Sequence, residues 1–190
     1  MRNIWITLRA SLVLMVLCGL LYHLAVLGIA QAAMPDQADG SLIYNENHEV
    51  VGSKLIGQSF TDPGFFHGRV SSLDYDAGGS GTPNYAPSNA DMLQRTADAV
   101  EAWKQENPNV PVSELPVDLI TNSGSGLDPE ISPEAARAQI PRVSQATGIP
   151  AAELEEMIKD HTKGRELGFL GEPGVNVLQL NIGVQKKTAQ

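Results

Sequence analysis

Residues 10–30 read ASLVLMVLCGLLYHLAVLGIA, and this stretch divides the chain. It holds 21 residues without a formal charge, with Ser11, Tyr22 and His23 as its clearly polar side chains. A bilayer core of roughly 30 Å takes about 20 helical residues at about 1.5 Å each, so the stretch is long enough to cross. Arg2 and Arg9 precede it, whereas Asp36 and Asp39 follow it and the next basic residue is Lys54. The positive-inside rule then places residues 1–9 in the cytoplasm, a membrane helix at 10–33 and residues 34–190 outside the plasma (inner) membrane as one extracytoplasmic domain. Ala30-Gln31-Ala32 before Ala33 also has the A-x-A pattern of a cleaved signal peptide. The apolar run exceeds the ~7–15 residues of such a peptide, which favours an uncleaved anchor. Both readings export the rest of the chain. His23 reads as a neutral imidazole near the outer interface beside Tyr22. Gly28 and Ala32 form a small-xxx-small pair, a weak signal for a second helix.

Outward from this helix, composition excludes several classes. The 190 residues carry 13 basic and 22 acidic side chains, a net charge of −9. Residues 34–190 hold 11 of the basic and all 22 acidic ones. A nucleic-acid partner needs a basic footprint, which is missing. The single cysteine, Cys18, lies in the apolar run, so the exported part has no thiol for a disulfide, a multi-Cys metal site or a thiol nucleophile.

The exported part reads as an α+β domain, a small sheet with packed helices. Ser41–Tyr44 and Val50–Ile56 are expected strands around a turn at Asn45-Glu46-Asn47-His48. Residues 61–87, rich in Gly, Ser, Pro, Asp and Asn, read as a long ordered loop, a length that usually signals function. A helix is expected from about Ser88 to Glu106, capped by Ser88 or Asn89, burying Met92, Leu93, Thr96, Val100 and Trp103. Val117–Thr121 reads as a short strand. Ser132-Pro133 opens a helix that Pro141 interrupts or restarts. Pro150–Thr162 is a third helix with Leu154, Met157, Ile158 and His161 on one face and Gly164 as its stop. Val175–Val184 alternates, with Leu178, Leu180, Ile182 and Val184 on one side, and reads as a strand.

No motif in this pattern carries a reaction. The exported histidines, His48, His67 and His161, lack metal-ligand spacing. His161, at a helix C-terminus, reads as a partner of the helix dipole. Ser123-Gly124-Ser125-Gly126 fits neither a nucleophile elbow nor a phosphate loop, and reads as a tight turn before a capped helix. Asp118 and Asp128 flank that turn without forming an acid–base pair.

An ordered set of segments does resemble a family. It comprises Gly52–Phe60, Phe65-Phe66-His67-Gly68-Arg69, Pro116–Thr121 continuing as Ser123–Pro129, Ile131-Ser132-Pro133, Ala135-Ala136 and Gln139-Ile140-Pro141-Arg142-Val143. His161–Arg165, Leu167–Pro173 and Val175–Asn181 complete it. Together with the N-terminal helix they resemble the C subunit of the Kdp-type potassium-transporting ATPase. Two stretches depart from that family's pattern: Val70-Ser71-Ser72, where Pro-Ser-Ala is usual, and the loop Gly78–Asn89.

The resemblance implies an accessory subunit needed for assembly and activity. Its partners are a channel-like A subunit, an ATP-hydrolysing P-type B subunit, a small F subunit and membrane lipid. It also implies a catalytic-chaperone effect that raises the ATP affinity of the B subunit. No Asp-Lys-Thr-Gly-Thr phosphorylation motif occurs here, so the chain is expected to be non-catalytic. It is expected to hold no cofactor or metal of its own, with ATP and potassium belonging to the complex and no nucleotide-binding residue assigned. The length and polarity of the loop at 66–89 and the turn at 122–129 nominate a partner-contact surface: His67, Gly68, Arg69, Ser123, Gly124, Ser125, Gly126 and Asp128. Internal bracing is the alternative role for these residues. The alternative for the whole chain is a membrane-anchored periplasmic binding module or enzyme acting alone.

Overall fold

The apolar run is helical throughout in the computed structural model, which describes residues 2–45 and 47–189. Helix α1 (Arg2–Leu14) passes through a wider, π-type segment at Met15–Leu21 into α2 (Tyr22–Ala33). Among the described residues this is one helix, Arg2–Ala33, long and apolar enough to cross a membrane. His23 lies just after the wide segment, where its Nδ1–H donates to the Cys18 carbonyl at 2.9 Å.

The chain divides after Ser53 into two compact units. The first contains this helix, the short α3 (Pro35–Ala38), and strands β1 (Leu42–Tyr44) and β2 (Val50–Ser53), paired antiparallel. The expected turn joins them: Asn45 Oδ1 accepts the Asn47 and Glu49 amides, each at 2.9 Å. Glu46, part of that expected turn, lies outside the described residues. The second strand stops at Ser53, short of the expected Ile56.

The second unit is built on a three-stranded antiparallel sheet in the order β3-β5-β4: β3 (Glu130–Ile131), β5 (Gly174–Asn176) and β4 (Thr162–Lys163). Helices α5 (Pro133–Thr147), α6 (Ala151–Asp160) and α7 (Val177–Thr188) supply most of the core. Phe66, Ala135, Ala136, Val143, Leu154, Ile158, Val175 and Leu180 are fully buried, and each large apolar side chain contributes about 1.5–3 kcal/mol. Phe66 comes from the long loop, which runs without a regular element until α4 (Ala90–Glu106).

Several expectations are corrected. Val175–Val184 is not a strand: pairing ends at Asn176, whose side chain accepts the Gln179 amide at 3.0 Å and starts α7. Val177, Leu178, Leu180, Asn181 and Val184 are buried, a helical set rather than an alternating one. Val117–Thr121 is not a strand either. Val117–Leu119 forms a 3-10 turn after Pro116, and Asp118 accepts the Ser132 amide at 2.8 Å and its hydroxyl at 3.2 Å. That contact steadies Ser132 as the α5 cap, where its Oγ accepts the Ala135 amide at 3.0 Å. Helix α5 runs on through Pro141, which is exposed. Helix α6 ends at Asp160, so the strand residues Thr162–Lys163, not Gly164, follow its stop. His161 Nδ1–H donates to the Met157 carbonyl at 2.7 Å, the helix-end role expected of it. Helix α4 is capped by Asn89 as expected, but its stripe is shallow: Trp103 is buried while Leu93 is 55% exposed.

Candidate functional site

The motif Phe65–Arg69 has no strand to pair with, so its backbone groups are met by side chains. Asn181 on α7 accepts the Phe66 amide at 2.8 Å and donates to the Phe66 carbonyl at 2.9 Å. Gln139 on α5 does the same for His67, at 2.8 and 3.1 Å. Each amide side chain imitates one rung of a β-ladder. Arg142 completes the set. Its Nη1 donates to the carbonyls of Pro63 and Phe65 at 2.6 and 2.8 Å, Nη2 to Gln139 Oε1 at 2.6 Å, and Nε to Asn107 Oδ1 at 3.2 Å. Burial lowers the Arg142 pKa, and the nearby Glu106 and Asp62 carboxylates oppose that shift. None of these three polar residues was nominated by sequence. The available signal was polarity inside apolar stripes, since Gln139 and Arg142 lie among Ala135, Ala136, Ile140 and Val143.

Beyond this anchor, the nominated loops close on each other. Arg69 Nη1 donates to Asp128 Oδ2 at 2.8 Å, and Nη2 reaches Thr121 Oγ1 and the Asn122 carbonyl at 3.3 Å each. Ser125 Oγ donates to the other Asp128 oxygen at 3.1 Å. Ser123, 1% exposed, accepts the Gly126 amide at 2.9 Å and the Asp128 amide at 3.3 Å through its hydroxyl. The turn needs a glycine at Gly126, where φ is +75°. From the long loop, Ser71 Oγ donates to the Gly126 carbonyl at 2.6 Å, the Gly81 amide to the Ser125 carbonyl at 2.8 Å, and Ser72 Oγ to Asn122 Oδ1 at 2.8 Å. Tyr75 Oη donates to the Arg69 carbonyl at 2.5 Å. Burial, then the Asp128 charge, push its phenol up to about 12.

The structure therefore brings Gly68, Arg69, Ser123, Gly124, Ser125, Gly126 and Asp128 into one double-loop platform. Ser123 and Gly126 are buried within it, Arg69 and Asp128 are partly exposed, and Gly124 is exposed. Among the described residues no histidine hydrogen-bonds Ser123 or Ser125, and no group of three or more His, Cys, Asp or Glu side chains is placed to hold a metal ion.

His67 points to the other side. Its Nδ1 lies 3.3 Å from Glu106 Oε2 on α4 and its Nε2 3.2 Å from the Asp62 carbonyl. Both neighbours are acceptors, so a neutral ring satisfies only one of them. Burial and then the Arg142 charge nevertheless hold the ring below its ordinary 6.5, against the upward pull of the Asp62 carbonyl and Glu106. The unfolded chain takes up this proton near pH 6.5 while the fold still resists it. Stability is therefore lost as pH falls through 6.5, and the loss levels off once the folded ring protonates. Thermal unfolding of the full-length chain in detergent, scanned from pH 7.5 to 5.5, should show a steeper decline than His67→Asn. Parallel curves would exclude His67 as the source.

A sequence model of the family described as KdpC, K+-transporting ATPase, c chain, matches residues 4–186. A protein of Bacillus anthracis named Potassium-transporting ATPase KdpC subunit is 60% identical over 179 residues, 94% of this chain and 93% of its own length. A protein of the same name from Bacillus cereus strain ATCC 10987 is 59% identical over the same extent. The chain belongs to the KdpC family, the c chains of K+-transporting ATPases.

Proposed function

We propose that this chain is a non-catalytic accessory subunit of an ATP-driven potassium uptake complex. It assembles with a channel-like A subunit, a P-type B subunit and a small F subunit. The observation that carries this reading is the family match across residues 4–186, the N-terminal helix included. The arrangement has Arg2–Ala33 crossing the plasma membrane, the N-terminus in the cytoplasm and residues 34–190 outside, supported by the asymmetry of Arg2 and Arg9 against Asp36 and Asp39. The double-loop platform, with Gly68, Arg69, Gly124, Ser125 and Asp128 toward its surface, faces the A subunit. Ser123 and Gly126 shape it from within, and His67 fixes its base to α4. Because ATP is cytoplasmic, any rise in the B subunit's ATP affinity passes through the membrane-embedded partners rather than through contact of ATP with this domain.

A C-terminal tag and purification in mild detergent from potassium-starved native cells test the reading. A large P-type ATPase subunit and a polytopic channel-like subunit should co-purify, identified by mass spectrometry. Recovery of the chain alone would overturn it and leave a self-sufficient binding module.

A further inference from the structure

Strand β4 returns to β5 through residues 164–173, and the far end of this loop presents apolar side chains to solvent. Leu167 is 82% exposed, Phe169 68% and Leu170 48%. Single apolar residues on a surface are ordinary, but three within four positions at a loop tip form a patch. The tip is closed on itself. The Glu166 amide donates to the Leu170 carbonyl and the Leu170 amide to the Glu166 carbonyl, each at 2.9 Å. The Gly168 amide donates to the Arg165 carbonyl at 3.1 Å and the Phe169 amide to the Glu166 carbonyl at 3.2 Å. Ion pairs clamp the stem, Lys163 Nζ to Glu166 Oε1 at 2.8 Å and Arg165 to Glu172.

Leucine is a poor residue for this turn. The backbone φ is +52° at Leu167 and +82° at Gly168. Two consecutive positive φ values suit Asn-Gly or Asp-Gly, because a left-handed backbone crowds the Cβ of leucine against a carbonyl oxygen. An asparagine there would relieve the backbone and take water better. Folding gains nothing from an exposed Leu167, which leaves an external contact as the reason for it.

The size and polarity of the tip indicate what covers it. Three side chains amount to roughly the few hundred Å2 of an ordinary monomer's largest apolar patch, well short of the roughly 800 Å2 per partner of a free-standing protein interface. A second copy arriving from solution would not hold on that area, so the tip needs a surface already kept nearby. Residues 34–53 join the helix Arg2–Ala33 to the second unit, and they span at most about 70 Å when fully extended, so a bilayer crossed by that helix is never farther away. Tethering at such range raises the effective concentration enough for a small contact to form. The tip also meets what lipid demands. The amides of Glu166, Gly168, Phe169 and Leu170 are bonded within it, and Glu166 and Glu172 are each paired with a base. Lys163 and Arg165 hold their charges at the stem, where long basic side chains reach lipid phosphates.

We propose that this tip dips into the headgroup–acyl boundary of the membrane that the chain's own helix crosses, with Leu167, Phe169 and Leu170 as the inserted residues. The inference rests on the proposed reading that Arg2–Ala33 spans the bilayer. The surface is separate from the double-loop platform. The tip enters β5 at Gly174, whereas the platform turn meets the chain past the other end of that strand, where the Val177 amide donates to the Pro129 carbonyl at 3.0 Å.

The test uses the full-length chain in phosphatidylcholine–phosphatidylglycerol vesicles with a nitroxide label. Cys18 is the single cysteine, so it takes the label in the parent chain, and Phe169→Cys or Gly124→Cys takes it in a Cys18→Ser background. Electron paramagnetic resonance then compares collisions with oxygen, which concentrates in lipid, and with a nickel chelate dissolved on both sides of the membrane. The label at 169, with Leu167 and Leu170 still present to insert, should lose nickel access and keep oxygen access. The label at 124 should keep both. Leu167→Asn combined with Leu170→Asn should return the label at 169 to water. Nickel access at 169 equal to that at 124 overturns the proposal. Loss of both oxygen and nickel access at 169 in the reconstituted complex would mean that a protein covers the tip, which also overturns it. Nickel access at Cys18 would instead overturn the reading of the helix as a membrane span, so the two failures are told apart.

Discussion

Arg142→Ala should lower the stability of the second unit by about 3–5 kcal/mol, and its melting temperature by roughly 10–20 °C. The reason is the number of groups orphaned at once. Arg142 is 8% exposed, and its guanidinium serves two carbonyls of the long loop, the Gln139 amide on its own helix and the Asn107 amide after α4. Hydrogen bonds from a charged donor contribute about 1.5–3 kcal/mol each, and losing the fork also leaves the buried Gln139 and Asn107 side chains without that partner. Arg142→Lys keeps the charge but not the planar fork, so it should recover less than half of the loss. The measurement is thermal unfolding of the full-length chain in detergent, with limited proteolysis reporting where the fold opens. Cleavage should appear first within residues 61–87. A loss below about 1 kcal/mol would mean that Gln139 and Asn181 hold the loop without Arg142.

That loop also shows where the sequence ran out. Helices α4 and α5 were legible because their caps are local, with Asn89 and Ser132 each accepting an amide two or three residues on, and α6 because its apolar face is, with Leu154 and Ile158 buried four positions apart. The segment after Asn176 was not, because Val-Leu-Gln-Leu-Asn-Ile-Gly-Val satisfies a period of two and a helical face equally well. The choice is made by the Asn176 cap and by burial against residues distant in sequence. Val117–Thr121 failed for a similar reason, since Asp118 takes its partner at Ser132, 14 positions away. For the site, the polar turn residues announced the two loops, and the structure puts the loops together. The anchors Gln139, Arg142 and Asn181 reach across 72 to 115 positions, and nothing local distinguishes a buried amide from an exposed one. The result is a division of labour: a core of three helices and a sheet carries stability, and buried polar side chains convert that rigidity into a fixed shape for a loop with no secondary structure.

Gly57→Ala should be nearly as damaging as losing Arg142's fork, at about 2–3 kcal/mol, whereas Gly124→Ala should change stability by less than about 0.5 kcal/mol. A Cβ on Gly57 would lie 2.4 Å from the Asp128 carbonyl oxygen, 3.0 Å from the Asp128 carbonyl carbon and 2.9 Å from Tyr75 Cε1. Two of those atoms are backbone and cannot rotate away. The Gly57 amide also donates to the Leu127 carbonyl at 2.8 Å, so relieving the clash stretches a bond that holds the turn. Asp128 would shift, and with it the Arg69 contact that joins the two loops. At Gly124 a Cβ meets nothing within 4 Å. The pair therefore separates bracing from partner contact. Gly57→Ala should reduce partner recovery only in proportion to its lost stability. Gly124→Arg should keep the melting temperature of the isolated chain and still reduce recovery of the channel-like subunit, because the turn presents that position outward. Full recovery with Gly124→Arg would remove the turn from the interface and leave the platform as internal bracing alone.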